Sequence, residues 1–360
     1  MALRVIQWAS GNVGRHAVAA IASRPDLKLV GMYVYGADKD GRDAGEIAGI
    51  GRLGVTATAS VEQVLALKAD VVVHAPLPSL VYGADPDADI KTFCRLLESG
   101  KNVITTVGYL YPRAHGPALV RRLQAACRKG GTSFHSTGLN PGWMGDLLPL
   151  AMSSLSNRIE QIHVREISNF QYYPSPQIMF DMMGFGSTPA QFRRRVGRYA
   201  HWLNGLFRES VMLVADGLGV KLDGISAQTR RTLADADLPT AAGTVRKGTI
   251  AGQRWEWAGR IGKRKAIVHE TIWRMHASVA PEWPQGNHSI AITGEPNMRI
   301  ELTPGWIDGG LISTAMHAVN AIPLVCAAAP GIRTLLDLPS IAGKGAFKLA
   351  QRGAATRTRR

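Results

Sequence analysis

The sequence predicts a two-part α/β protein: an N-terminal doubly wound parallel sheet, then an α+β domain built on a mostly antiparallel sheet. Three observations carry this expectation. Short apolar runs alternate with helical patterns from Leu3 to Ser136. Glycine or proline closes most of those units. Longer amphipathic runs take over after about Leu155. Short apolar strands alternating with helices imply parallel pairing with helices on both faces.

The elements follow in order. Leu3–Ala9 is a strand, and Gly11–Ser23 is a helix with its glycine loop. Leu27–Tyr35 and Gly54–Thr58 are strands, and Ser60 caps a helix over Val61–Leu67. Asp70–Pro76 is a strand ended by proline, and Ala88–Ser99 a helix stopped by Gly100. Asn102–Val107, a helix over Pro117–Lys129 and Thr132–Ser136 close the series. Beyond it, Ile159–Ile167 reads as a half-buried strand, and Ile178–Gly184 and Pro189–Leu213 as helices. Gly243–Ile250, Arg254–Ile261, Lys265–His276 and Ser289–Leu302 read as long strands. The expected division is a cofactor domain over 1–150 and a substrate and dimerisation domain over 151–309. A buried helix over 310–340 then packs back on the core, and 341–360 forms a basic tail.

The chain has 360 residues, 46% of them hydrophobic and 19% charged, which fits a folded globule. Its net charge is +15, and six cations follow Asp337 with no acid among them. No nucleic-acid motif accompanies this charge, so a solvated tail is expected rather than a nucleic-acid partner. The three cysteines are widely spaced and the ten histidines show no ligand spacing, so neither disulfides nor a metal is expected. Met1 runs almost directly into a strand, which reads as cytoplasmic with no leader. Gly310–Pro330 is the most apolar stretch, and its His317, Asn320 and Pro323 favour a buried helix over a membrane span.

Ser10-Gly11-Asn12-Val13-Gly14-Arg15-His16-Ala17 stands directly between a buried strand and a helix. In such a loop the first glycine permits a tight turn, the second lets the backbone approach a pyrophosphate, and Ala17 allows close helix–strand packing. The helix N-terminus adds free N–H groups for phosphate. The second strand ends in Val34-Tyr35-Gly36-Ala37 without the acid that would hold an NAD ribose, while Arg15, Lys39 and Arg42 lie near. That favours NADP over NAD, although Lys39 and Arg42 also read as ordinary loop charges.

Several later motifs are more specific: Gly41–Glu46, Ser136-Thr137-Gly138-Leu139-Asn140-Pro141-Gly142-Trp143, Ser175–Phe180, Met183-Gly184-Phe185-Gly186, Ala251–Trp257 and Asn320–Pro323. With Arg4–Ala17 they make the chain resemble the dihydrodipicolinate-reductase-like oxidoreductases that include 2,4-diaminopentanoate dehydrogenase and the native amine dehydrogenases. The resemblance implies a Rossmann domain, a homodimer, and hydride exchange between NAD(P)H and an imine or carbonyl carbon. It implies that Gly11, Asn12, Val13 and Gly14 hold the pyrophosphate, with Ser10 and Arg15 beside them. Ala75 and Pro76 would then face the adenosine–ribose side, and Asn140, Pro141 and Gly142 would sit against the nicotinamide. Tyr35, Lys39 and Thr106 are further expected cofactor contacts. Trp143 and the helix carrying Met179, Phe180 and Met183, with Tyr173, would line a large apolar pocket for a hydrophobic small molecule; runs of Met and aromatic residues are also ordinary core.

One departure stands out. The amine dehydrogenases carry a glutamate after the fifth strand, before a Tyr-Pro pair. Here the segment is Thr105-Thr106-Val107-Gly108-Tyr109-Leu110-Tyr111-Pro112, with no acid. Three residues are candidates for the missing proton chemistry. Tyr109 supplies a phenol, or else packs. His135 precedes the nicotinamide loop, or else is a core histidine. Glu166 ends the first strand of the second domain, or else pairs with an arginine. Asp146 reads as a helix N-terminal charge. The leading expectation is an NADP-preferring reductase of a hydrophobic carbonyl or imine. The alternatives are an amine dehydrogenase with a relocated acid and a non-catalytic dinucleotide sensor.

Overall fold

The computed structural model describes residues 1–303 and 309–347. The first part is β1 (Leu3–Trp8), α1 (Asn12–Ala22), β2 (Leu27–Tyr33), α2 (Ala44–Ala48), β3 (Ala57–Thr58), α3 (Val61–Ala66), β4 (Val71–His74), α4 (Ser79–Tyr82), α5 (Ala88–Glu98), β5 (Asn102–Thr105), α6 (Pro117–Gly130) and β6 (Ser133–Ser136). The second part is α7 (Leu148–Ser153), β7 (Arg158–Asn169), α8 (Pro189–Arg195), α9 (Gly197–Gly217), β8 (Gly224–Leu233), β9 (Leu238–Thr240), β10 (Gly243–Val245), β11 (Ile250–Ile261), β12 (Arg264–Arg274), β13 (His288–Glu295) and β14 (Met298–Leu302). The chain then returns through α10 (Gly310–Ala327) and β15 (Gly331–Ile332).

The first sheet has seven parallel strands in the order β15-β6-β5-β4-β1-β2-β3. The order reverses between β1 and β4, and ligands bind at such switch points beyond the carboxyl ends of the strands. The central strands are buried on both faces over Val5–Trp8 and Val71–His74, which is why they read as mostly apolar runs. One face packs on α3, α5 and α6 through residues such as Val64, Phe93, Leu97 and Leu123. The other packs on α1 and α10, where Val18 and Ile21 meet Ala318, Val319 and Ile322 in one cluster. The α10 helix is long and apolar enough by composition to cross a membrane. In the fold that apolarity is used against α1.

The second sheet is mixed, in the order β14-β13-β7-β12-β11-β8, and only the β7–β12 pair is parallel. Its inner face is covered by α9, where Phe207 stacks on Trp257 with ring centroids 4.1 Å apart. Its outer face carries Glu270, whose carboxylate takes Arg165 and Arg254 at 2.6 Å each and His163 at 3.2 Å.

Several element expectations need correction. The helix expected over 189–213 is two helices, broken at Val196 (φ −91°, ψ 5°). The strand expected over 289–302 is the β13–β14 hairpin, turned at Pro296 and Asn297, where Asn297 Oδ1 accepts from Gly294 N. The run expected over 243–250 keeps only β10, because Asp237 draws Arg246 and Lys247 into a turn. The edge strand β8 was not expected, since most of its residues are exposed and carry no apolar period. Lys348 and the rest of the expected tail lie outside the described residues.

A candidate dinucleotide and substrate cleft

The glycine loop leaves β1 through Ala9, held at a left-handed φ of 78°. Gly11 caps α1 at φ −68°, a conformation open to any residue, and a Cβ there would meet nothing within 4 Å. Gly14 is different: a Cβ would lie 2.2 Å from Ala9 O and 3.0 Å from Gln7 Nε2. Close packing thus falls on Gly14 as well as on the buried Ala17, and the open approach falls on Gly11, to which the sequence assigned only the tight turn. Gly14→Ala should accordingly destabilise the fold by about 1–3 kcal/mol. Gly11→Ala should leave the thermal midpoint near wild type and weaken dinucleotide binding; thermal unfolding and titration separate the two.

Ser10, Gly11, Asn12, Arg15, Lys39 and Arg42 line a cavity of about 340 Å³, with Glu46 at its edge. Lys39 Nζ donates to Ser10 Oγ at 3.2 Å. The loop behind these cations is fixed by Asp43, whose carboxylate accepts from the N–H groups of Leu53, Gly45, Glu46, Gly54 and Val55. Those donors, Leu53 N foremost, pull its carboxyl down to about 2. Val13 packs inward against the α1 core. Tyr35 is 62% exposed and is not among the residues lining this cavity; its hydroxyl accepts from Trp8 Nε1 at 3.1 Å. Ala75 follows β4 with its N–H on Trp8 O, and Pro76 is half-buried beside it. An uncapped helix N-terminus, an open Gly11 and three cations together fit a dinucleotide.

A second cleft, of about 300 Å³, opens where β5 and β6 end against the second sheet. Thr106, Asn140 and Pro141 form one wall; Glu166, Phe170 and Tyr173 form another; Trp202 and Leu206 of α9 close it. Glu166 accepts from Asn140 Nδ2 at 2.6 Å, Trp273 Nε1 at 2.7 Å and Ser168 Oγ at 3.1 Å. All three donors are neutral, and no ion pair to Glu166 occurs among the described residues. The arginine pairing considered for Glu166 is thus taken by Glu270 on the other face of the sheet.

The three candidate proton donors do not converge. His135 is fully buried with Nδ1 at 2.7 Å from Arg333 O, and burial pushes it down to about 4, so it is a neutral core histidine lining neither cleft. Tyr109 sits between the rings of Phe93 and His115 and lines an adjoining cavity of about 650 Å³ that shares Gly108, Trp202 and Leu206 with the cleft; burial pushes its phenol far up. Only Glu166 reaches the cleft beside Asn140 and Pro141. Among the expected substrate residues, Tyr173 alone lines the cleft. Met179 and Met183 are buried in the second-domain core, Phe180 packs over Gly186 and Gly243, and Trp143 is half-buried against the same core. The Met and aromatic run is core, and Phe170, Trp202 and Leu206 supply the apolar walls.

Other groups escaped the sequence reading. Glu209 of α9, 2% exposed, accepts from Tyr109 N, Tyr111 N and His115 Nε2 at 2.7–3.0 Å and so shapes the segment after β5. The signal was present: an acid beside Phe207, Ser210 and Val211 on the buried side of a helix. Asp146 is no helix-end charge; it is fully buried and accepts from Gly142 N and Ser210 Oγ.

The comparisons with known proteins agree with this geometry. The model of the 2,4-diaminopentanoate dehydrogenase C-terminal domain matches residues 143–348, and that of the dihydrodipicolinate reductase N-terminus matches 5–84. An amine dehydrogenase of Streptomyces virginiae is 32% identical over 94% of this chain and 96% of its own. A 2,4-diaminopentanoate dehydrogenase of Acetoanaerobium sticklandii is 29% identical over 68% of each chain. An amine dehydrogenase structure from Mycobacterium smegmatis superposes with a TM-score of 0.78, covering 94% of this chain and 97% of that one at 21% identity.

Proposed function

Since the chain belongs to the 2,4-diaminopentanoate dehydrogenase and amine dehydrogenase family of NAD(P)-dependent oxidoreductases, we propose that it interconverts a hydrophobic carbonyl compound and its amine, using NADP and Glu166. The observation that carries this reading is the Glu166 carboxylate, held in the cleft by neutral donors only. A carboxylate in a partly dry site is costly without a cation. An ammonium or iminium ion supplies one.

Bound NADPH supplies hydride to the substrate carbon. The chain's own groups do the rest. Glu166 takes a proton from ammonium, freeing its lone pair to attack the carbonyl carbon; a second proton passes from the added nitrogen to the carbonyl oxygen, and Glu166 returns the first to the resulting hydroxyl as water leaves. The resulting iminium is stabilised by the same carboxylate, which keeps the carbon electrophilic. Asn140 and Trp273 fix the carboxylate's orientation. Phe170, Tyr173, Trp202 and Leu206 exclude water and favour an apolar substrate body.

Arg15, Lys39 and Arg42 support a preference for the 2′-phosphate of NADP. Lys39→Ala should weaken NADPH about tenfold and leave NADH within about twofold, read by titration of protein fluorescence. The same reading makes the protein a homodimer, because β8 and β14 leave open edges on the second sheet.

NADPH oxidation with an apolar ketone, in ammonium buffer and in ammonia-free buffer, tests the reading. Ammonia-dependent turnover is expected. Equal turnover without ammonia makes the protein a carbonyl reductase. Tight NADPH binding with no turnover on ketones, aldehydes or amines makes it a sensor.

A further inference from the structure

We propose that Asp146 is a positioning residue for the Asn140–Gly142 loop, and that its charge sets the loop's preference between oxidised and reduced nicotinamide. The inference rests on the reading that this loop faces the nicotinamide.

The loop leaves β6 and turns through Gly142 at φ 128°. Its Gly142 N–H is not spent on helix or sheet; it donates to Asp146 Oδ2 at 2.5 Å. The other oxygen, Oδ1, accepts from Ser210 Oγ of α9 at 2.6 Å. Ser210 Oγ lies 3.2 Å from His269 Nε2 of β12, whose Nδ1 is buried without a partner among the described residues. A chain of hydrogen bonds thus ties the loop, through one carboxyl group, to the helix and sheet of the second domain. The packing around it is tight: a Cβ at Gly145 would lie 2.7 Å from Asn140 Oδ1 and 2.9 Å from His269 Cε1.

Asp146 has no cation partner among the described residues and is fully buried. Burial pushes its carboxyl up to about 7, against the two hydrogen bonds that favour the ion. The surrounding titratable groups leave Asp146 to change charge by itself near neutrality. His269 is pushed down to about 3 by burial and stays neutral, with His163 behind it. His317 of α10, bonded to Thr137, is pushed down to about 4 by burial. Glu209 on α9 raises Asp146 further, and Glu166 meets the loop only through Asn140. The chain has two arrangements. With Asp146 ionised, the Ser210 hydroxyl points to Oδ1. With Asp146 protonated, the carboxyl can donate to Ser210, whose hydroxyl then turns to His269 Nε2.

The oxidised nicotinamide ring carries a positive charge and the reduced ring none. An ionised Asp146 behind the Gly142 peptide therefore favours the oxidised form, and by linkage the oxidised form favours the ion. The 2′-phosphate and pyrophosphate are common to both forms, so their titration cancels in the ratio of the two affinities.

The test is direct binding of NADP⁺ and NADPH by calorimetry from pH 6 to 8.5, with no substrate and no turnover. In the wild type the ratio Kd(NADP⁺)/Kd(NADPH) should fall about five- to tenfold across this range, as one coupled titration allows. In Asp146→Asn, whose amide oxygen still accepts from Gly142 N, the ratio should be flat. If Asp146→Asn does not fold, Ser210→Ala removes one donor to the ion and should move the midpoint of the change to higher pH. A wild-type slope that persists in Asp146→Asn, or a midpoint unmoved in Ser210→Ala, overturns the inference. Gly142→Ala checks the underlying reading: strain at φ 128° should weaken both cofactor forms. If both bind unchanged, the loop is not at the nicotinamide. If both weaken while the Asp146 variants keep the slope, only the role of Asp146 fails.

Discussion

Glu166→Gln is expected to lower ammonia-dependent turnover by at least about a hundredfold, the usual loss when a positioned acid–base group is removed. NADPH affinity should stay within about twofold, because Glu166 lies on the second sheet and not on the glycine loop. Glutamine matches the carboxylate in size and still accepts from Trp273 Nε1. The amide of Asn140 can turn its Oδ1, which has no hydrogen-bond partner among the described residues, toward the new donor. Folding should therefore survive while the negative charge is lost. Initial rates at varied ammonia concentration, with the thermal midpoint alongside, decide the point. A variant that keeps ammonia-dependent turnover within about threefold removes Glu166 from the chemistry.

The largest effect on stability is expected from Glu270. Its carboxylate is 1% exposed and meets Arg165, Arg254 and His163 on the outer face of the second sheet. Removing one member of a buried ion cluster leaves the others uncompensated and costs about 3–5 kcal/mol. Glu270→Ala should therefore unfold well below the wild type. The effect has a pH signature. Burial works against the ion, but His163, Arg165 and Arg254 outweigh it and hold the carboxyl down to about 2. A folded-state value below the unfolded one gives stability that is present above about pH 4.3 and lost as the pH falls toward 2. The gap between wild type and variant should be full at pH 7 and shrink below pH 4. A gap that is constant with pH would mean that lost packing, not charge, is responsible.

The two halves of the fold were not equally legible. β4 is a run of buried apolar residues between Asp70 and Pro76, and a strand buried on both faces writes itself plainly. β8 is an edge strand with most side chains in solvent, so no hydrophobic period marks it. The break at Val196, next to Gly197, was masked because the buried spacing Phe192, Val196, Tyr199, Leu203 runs across it from α8 into α9. In the site, the glycine loop was readable because its parts are consecutive. Glu166 was readable as an acid at a strand end. Glu209 could be read as a buried acid, but its partners and those of Ser210 and His269 could not, because they lie 59 to 100 residues away. The Met and aromatic run misled for a simpler reason: composition shows that residues are greasy, not which side of them is empty.

The return of α10 and β15 to the first sheet has a consequence for how the protein is made. A ribosome releases β1 to β6 long before Gly310 is joined to the chain. Until then Val18 and Ile21 lack the Ala318, Val319 and Ile322 that cover them, and β6 lacks its neighbour β15. The second domain, whose core draws nothing from α10, is free to mature first. The sheet that carries the glycine loop of residues 10–17 is thus completed by residues 310–332. A stop codon just before residue 310 would strike the cofactor half of the nascent protein harder than the half it follows.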